Sequence, residues 1–297
     1  MYKKHKATKS GRCTKNSSDT LCSLCLCGSK KYNMGMKKFI TAIFISLLIS
    51  SNIIAQTSTT WNGRSCAVVL TYDDGLNVDL TNAIPVLDSV GLKGTFYISD
   101  YFDGLKDQIF KWRKAAAEGH ELGNHTVWHP CEGGRPGREF VKPDVDLNNY
   151  TVAKMVKEIK TMNNILKAID GKTERTFAYP CGDMKIHDTA YLDGMKNDFI
   201  VARGVTPEMQ TIDKVDLMNV DCYGINGETG EQLINLVKQA MNTHTLLVFL
   251  FHGVGGEHSL NVSLEAHSKL LHYLQQNEKD IWVAPMIDVA KFIKNKR

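Results

Sequence analysis

The apolar run Ala67-Val68-Val69-Leu70 leads directly into Thr71-Tyr72-Asp73-Asp74-Gly75. A short apolar run bounded by turn residues reads as a buried strand. Successive strand side chains point to opposite faces, so adjacent Asp residues share a site only where the strand ends. Gly75 lets the backbone turn there. Carboxylates at the mouth of a buried strand need cations to offset lost hydration. Two stretches offer candidates. His125-Thr126-Val127-Trp128-His129 carries two imidazoles four residues apart, and Phe251-His252-Gly253 ends another apolar run.

From Trp61 onward, strand-like and helix-like segments alternate. The clearest helix is Thr151–Ile169, where Val152, Met155, Val156, Ile159, Met162, Ile165, Leu166 and Ile169 form one stripe. Further helices are expected at Leu80–Val90 and His187–Lys196, and strands at Phe199–Ala202 and Met218–Asp221. The alternation predicts an α/β fold with a parallel sheet, doubly wound or closed as a barrel. In both, sites collect at the carboxyl ends of strands. Asp73, Asp74, His125, His129, Tyr179, Cys181, Arg203, Asp221 and His252 all fall at such ends, which favours a barrel. Pro130–Tyr150 reads as a long loop over its mouth.

The net charge of +4 in 297 residues is inflated by basic residues at the N-terminus. No basic stripe with interleaved aromatics follows, so nucleic acid is not implied, nor is a stable protein partner. Met36-Lys37-Lys38 precedes the apolar stretch Phe39–Ile49, and Ala55 precedes a polar segment. This is the layout of a secretory signal peptide over residues 36–55, with an uncleaved membrane anchor as the alternative. Residues 1–35, with Cys13, Cys22, Cys25 and Cys27, read as an unstructured upstream extension. The main domain spans 61–297 and is expected to be secreted or periplasmic. Its even set of cysteines, Cys66, Cys131, Cys181 and Cys222, permits disulfides without fixing their pairing.

On a helical turn, His125 and His129 share one side. Thr126 stands where a metalloprotease helix needs Glu, which excludes that class. Two His and one Asp leave a tetrahedral metal one open position, as in catalytic zinc sites.

These residues carry a resemblance. Thr71-Tyr72-Asp73-Asp74-Gly75, the stretch Gly119–His129 and Leu250-Phe251-His252 resemble three motifs of the polysaccharide deacetylases, the NodB-homology proteins of carbohydrate esterase family 4. The resemblance spans Ala67 to Lys294 and implies a distorted (β/α) barrel. It implies that Asp74, His125 and His129 hold a divalent metal, zinc before Co2+, Ni2+ or Mn2+. Asp73 would be the base acting on metal-bound water, and the Cys181 backbone N–H an oxyanion donor. His252 would be the general acid, with its ring held by Asp221. Tyr179, Leu250 and Trp128 would contact an acetylated glycan. N-acetyl groups of chitin-type or peptidoglycan glycans are the first reading. O-acetyl xylan, or a catalytically weak glycan-binding protein, are the alternatives.

Two motifs depart from the family pattern. Phe177-Ala178-Tyr179-Pro180-Cys181-Gly182 has Ala178 for the usual Arg and Cys181 for the usual Tyr, and Asp221-Cys222 stands for Asp-Trp. The usual Arg pairs with the catalytic Asp. Arg203, at a neighbouring strand end, is expected to reach Asp73 in its place, the alternative being a surface Arg before a turn. The placement of Cys131 beside a metal ligand and of Cys181 in the oxyanion motif implies a disulfide between them. His120 is expected to orient a loop and Trp112 to be core. His258 and His267 are read as solvent-facing.

Overall fold

The structure, a computed structural model, describes residues 60–297. The expected extension and signal peptide lie outside the described residues. Eight strands form one sheet: β1 (Cys66–Asp74), β2 (Thr95–Ile98), β3 (Glu121–Asn124), β4 (Thr176–Ala178), β5 (Val201–Arg203), β6 (Tyr223–Gly224), β7 (Leu246–Phe251) and β8 (Ile281–Val283). Their order is β5-β4-β3-β2-β1-β7-β6, with β8 also against β1. All pairings are parallel. Parallel strands need crossovers. These carry α1 (Ile84–Ser89), α2 (Ile109–Ala117), α3 (Val152–Asp170), α4 (Gly230–Thr243) and α5 (Leu264–Gln276), while α6 (Met286–Lys296) follows β8.

Every residue of β1 is buried, which is why its sequence is a continuous apolar run rather than an alternation. One long strand serves several neighbours. Its first residues pair with β8, its last with β2, and most of its length with β7.

The sheet curls into the expected distorted barrel. Its two ends, β5 and β6, are joined by the extended segment between them. Ala202 N–H donates to Leu217 O at 2.8 Å, Val220 N–H to Ala202 O and Gly204 N–H to Val220 O at 2.9 Å. The strand expected at Met218–Asp221 is thus a single bridge, Arg203 to Val220. Closure by a bridge leaves this wall irregular.

The helices follow their sequence signals. Thr151 caps α3 by accepting from Lys154 N–H, and Met155, Ile159, Met162, Leu166 and Ile169 are buried beneath it. Thr229 and Gln232 form a capping box on α4. The helix expected at His187–Lys196 is not formed. Lys185–Ile186 and Thr189–Ala190 make a small hairpin turned by His187 at φ 50°, and a 3-10 turn covers Asp193–Asp198.

His120 does anchor a loop: its Nδ1 accepts from Gly94 N–H at 3.1 Å. Trp112 is core, donating to Gly104 O at 2.8 Å. His267 contradicts the expectation of a solvent-facing ring. It is 1% exposed and lies 2.8 Å from the Tyr72 hydroxyl. It sits on the buried face of α5, which the α5 periodicity carries but a single His does not reveal. Among the described residues, no helix is long and apolar enough to cross a membrane.

Burial pushes the His267 imidazole down to about 4. The unfolded chain gains this proton below about pH 6.5, the folded chain only near 4. Stability is therefore complete above that window and falls by up to about 3 kcal/mol as pH is lowered through it. Urea unfolding of the wild type and His267→Gln between pH 4 and 7 should show a shallower pH slope in the variant. Equal slopes would place the acid sensitivity elsewhere.

Candidate active site

Asp73 and Asp74 end β1, 3% and 1% exposed. Asp74 adopts φ 77° and Gly75 φ 68°, a left-handed step that breaks the strand alternation and brings the second carboxylate to the mouth. Gly104 packs so closely on the Gly75 backbone that a Cβ would collide with it. The step is rare for a non-glycine residue, and backbone strain of this kind clusters at functional sites.

His125 and His129 reach the same point from a loop, not from the helical turn expected of their spacing. Thr126 has φ 64° and His129 φ 49°. Asn124 Oδ1 accepts from Thr126 N–H at 2.8 Å, and Thr126 Oγ1 accepts from His129 N–H at 3.0 Å. The rings meet edge to face, centroids 4.7 Å apart. Their Nε2 atoms lie 3.7 and 3.5 Å from Asp74 Oδ1.

This donor set fits a metal ion. His125 Nδ1 donates to Ala178 O at 2.9 Å, so the neutral ring turns a lone pair at Nε2 toward Asp74. Asp74 Oδ1 is buried with no hydrogen-bond partner among the described residues. Lone pairs facing each other at this distance need a cation between them. Burial, reinforced for His129 by His125, holds both imidazoles below their ordinary range and thus neutral, the state that ligates metal. Burial and the neighbouring Asp73 push the Asp74 carboxyl up, a repulsion that a bound cation reverses.

Asp73 has a different partner. Arg203 is 0% exposed and points inward, its Nη2 donating to Asp73 Oδ2. Its Nη1 donates to Gly204 O at 2.8 Å and lies 3.4 Å from Cys222 Sγ. The guanidinium stands 5.2 Å from the Tyr97 ring centroid. In the parallel pairing of β4 and β5, Ala178 and Arg203 are register partners. Arg203 thus stands one strand, about 4.8 Å, to the side of the position where the family pattern has its usual Arg, a gap the long Arg side chain spans. Burial alone would raise the Asp73 carboxyl. Arg203, with His125 and His252, outweighs it and holds the group below its ordinary value.

A cavity of about 720 Å³ opens over these groups. Tyr179, Cys181, Leu250 and His252 line it, as expected. Burial pushes the His252 imidazole down to about 4 against the pull of Asp73. The cavity also takes Arg138 and Phe140 from the Pro130–Tyr150 loop. Cys131 and Cys181 form the expected disulfide, with Cα atoms 5.8 Å apart. It ties the loop carrying His129 to the turn carrying Cys181. Arg138 reinforces the tie, donating to Cys181 O at 3.0 Å and to Asp183 Oδ2 at 2.7 Å.

Three expectations need correction. Asp221 does not hold His252. Its carboxylate accepts from Gln210 at 2.7 Å, and His252 Nδ1 is buried with no partner among the described residues. The cause is alternation: Cys222 turns inward to Arg203 and Gly204 O, so Asp221 turns away. Trp128 is 50% exposed and does not line the cavity. In its loop Val127 is buried instead. His258 is not a bystander. It lines the cavity, stacked on His252 with centroids 4.7 Å apart. Its only sequence signal was proximity to His252 across Gly255 and Gly256.

Residues 62–197 match the family model for polysaccharide deacetylase. A gellan lyase from a Bacillus species is 25% identical over 183 residues, 62% of this chain and 6% of that protein. Peptidoglycan-N-acetylmuramic acid deacetylase PdaA of Bacillus subtilis is 27% identical over 120 residues, 40% of this chain and 39% of its own length. The chain thus spans well under half of either relative. The crystal structure of PdaA, a family 4 carbohydrate esterase, superposes with a TM-score of 0.50 at 18% identity, covering 77% of this chain and 81% of that one. A candidate polysaccharide deacetylase from Mycobacterium smegmatis superposes with a TM-score of 0.56 at 15% identity, covering 79% and 92%. With the motif residues gathered at the strand ends of a parallel barrel, residues 62–197 carry the match to the polysaccharide deacetylase family, the NodB-homology proteins of carbohydrate esterase family 4.

Proposed function

We propose that this protein hydrolyses acetyl groups on a glycan, using a divalent metal ion, zinc by donor type, held by Asp74, His125 and His129. The buried Arg203–Asp73 pair beside that donor set carries the reading. A glycan-binding protein has no use for a carboxylate kept ionised next to a metal site. N-acetyl groups of chitin-type or peptidoglycan glycans are the proposed substrates, in line with the name of the PdaA relative. Export is also proposed, since a disulfide at the site suits an oxidising compartment.

The bound metal supplies Lewis-acid polarisation of the acetyl carbonyl and acidifies water. Asp73, fixed and kept ionised by Arg203, takes the proton from the attacking water. The Cys181 turn, pinned by the disulfide and Arg138, holds its backbone N–H as the oxyanion donor. Leu250, 4% exposed on the cavity wall, contacts the acetyl methyl, and Tyr179 contacts the sugar. His252 protonates the leaving nitrogen or oxygen. Its resting ring is neutral at pH 7, so it acts as the acid only after the proton that Asp73 removes from the water has passed to it, leaving Asp73 ionised again.

Acetate release from chitooligosaccharides and acetylated xylan, assayed side by side with added zinc, tests the reading. His125→Ala should lose bound metal and activity together. Asp73→Asn should keep the metal while turnover falls by about 100-fold or more. Loss of metal from Asp73→Asn would mean that the two carboxylates have been assigned the wrong way round.

Arg203→Ala strands a buried carboxylate and should destabilise the fold by about 3–5 kcal/mol. Adding Asp73→Asn to it should recover part of that loss in urea unfolding. Adding Ala178→Arg instead should restore turnover, because the register places that residue beside Arg203. Wild-type stability and turnover in Arg203→Ala would remove Arg203 from the mechanism.

A further inference from the structure

His258 sits on the loop between Gly253–Val254 and Asn261–Val262, outside the segment matched to the family. The loop is fastened at several points. The Glu257 carboxylate accepts from Val78 N–H at 2.7 Å and from Asn77 Nδ2 at 2.9 Å, tying the loop to the segment just beyond β1. Asn261 Oδ1 accepts from Gly256 N–H at 2.8 Å. His258 Nδ1 has two contacts with Leu260, the carbonyl oxygen at 3.3 Å and the N–H at 3.0 Å, and in the shorter one Leu260 N–H donates to Nδ1. An Nδ1 that accepts leaves the ring hydrogen of the neutral imidazole on Nε2. That Nε2–H faces Asp74 Oδ2 at 3.8 Å.

The two oxygens of Asp74 therefore meet opposite chemistry. Oδ1 faces the lone pairs of His125 and His129, and Oδ2 faces a donor. A carboxylate anchored on one oxygen presents the other in a fixed direction, and partners of this kind tune metal affinity by 10–100-fold. The 3.8 Å separation exceeds a hydrogen bond, and site contacts of this sort shorten in loaded complexes. The same ring lies nearly parallel to His252, interplanar angle 12°. His252 lacks the carboxylate partner expected at Asp221, and the stack covers one face of its ring.

We propose that His258 is a positioning residue with two functions: its Nε2–H orients the Asp74 carboxylate toward the metal, and its ring face holds His252. This rests on reading Asp74 as a metal ligand. The two functions separate by substitution. His258→Phe keeps a flat ring and loses the donor. His258→Gln keeps a donor and loses the ring.

Zinc affinity, measured by competition with a chromophoric chelator, reads the first function without any assay of activity. His258→Phe should bind zinc about 10-fold more weakly than wild type, and His258→Gln within about threefold of it. Turnover reads the second: per zinc-loaded molecule, His258→Gln should lose more than His258→Phe. Thermal unfolding of the metal-free variants checks that substitution of the partly buried His258 leaves the fold intact. Wild-type zinc affinity in His258→Phe, or equal weakening in both variants, would overturn the proposal and leave the metal site standing. Failure of the wild type to bind one zinc in a His125-dependent way would overturn both.

Discussion

The pairing of Arg203 with Asp73 is the interaction on which the site depends. Both groups are buried, and burying either alone would cost several kcal/mol. Together they place an ionised carboxylate at the end of β1, beside a second carboxylate that no Arg or Lys among the described residues contacts. The asymmetry separates two chemically identical neighbours. Asp73, bonded to a guanidinium, is held low and is fit to accept a proton. Asp74, facing imidazole lone pairs, is left to a cation. The left-handed step at Asp74 makes the arrangement possible, because an unbroken strand would send the two carboxylates to opposite faces.

Around that pair, loops rather than helices carry the remaining groups, and each is pinned. Thr126 and His129 take left-handed conformations that Asn124 and the Thr126 hydroxyl stabilise. The disulfide and Arg138 hold the Cys181 turn against the loop over the mouth. Glu257 fastens the His258 loop to the residues after β1. Site loops on a rigid sheet are mobile unless tied, and positional errors of an ångström are costly in catalysis.

The barrel was legible in the sequence because strand and helix periods alternate over most of its length. Asp73, Asp74, His125 and His129 were legible because motif and strand end coincide. Arg203 was reachable by a physical argument, since a buried carboxylate requires a partner and the usual one is absent. Asp221 was misread because one inward residue, Cys222, sets the facing of its neighbours, and a short irregular segment gives no period from which to read that. The conformation of the His125–His129 loop was hidden for a related reason: a spacing of four is helical only if the backbone is. His258 depends on contacts between distant segments, Glu257 with Val78 and its own ring with Asp74 and His252. No local pattern encodes these. The helix expected at His187–Lys196 failed where a two-residue hairpin turn won locally.

The division of labour between the two carboxylates is tested most directly by anomalous diffraction at the zinc edge, on a crystal grown with zinc. The expected result is a single peak at ligand distance from Asp74, His125 and His129, with Asp73 outside that distance and still bonded to Arg203. A peak with Asp73 at about 2.0–2.2 Å, or with Arg203 released from it, would contradict the assignment.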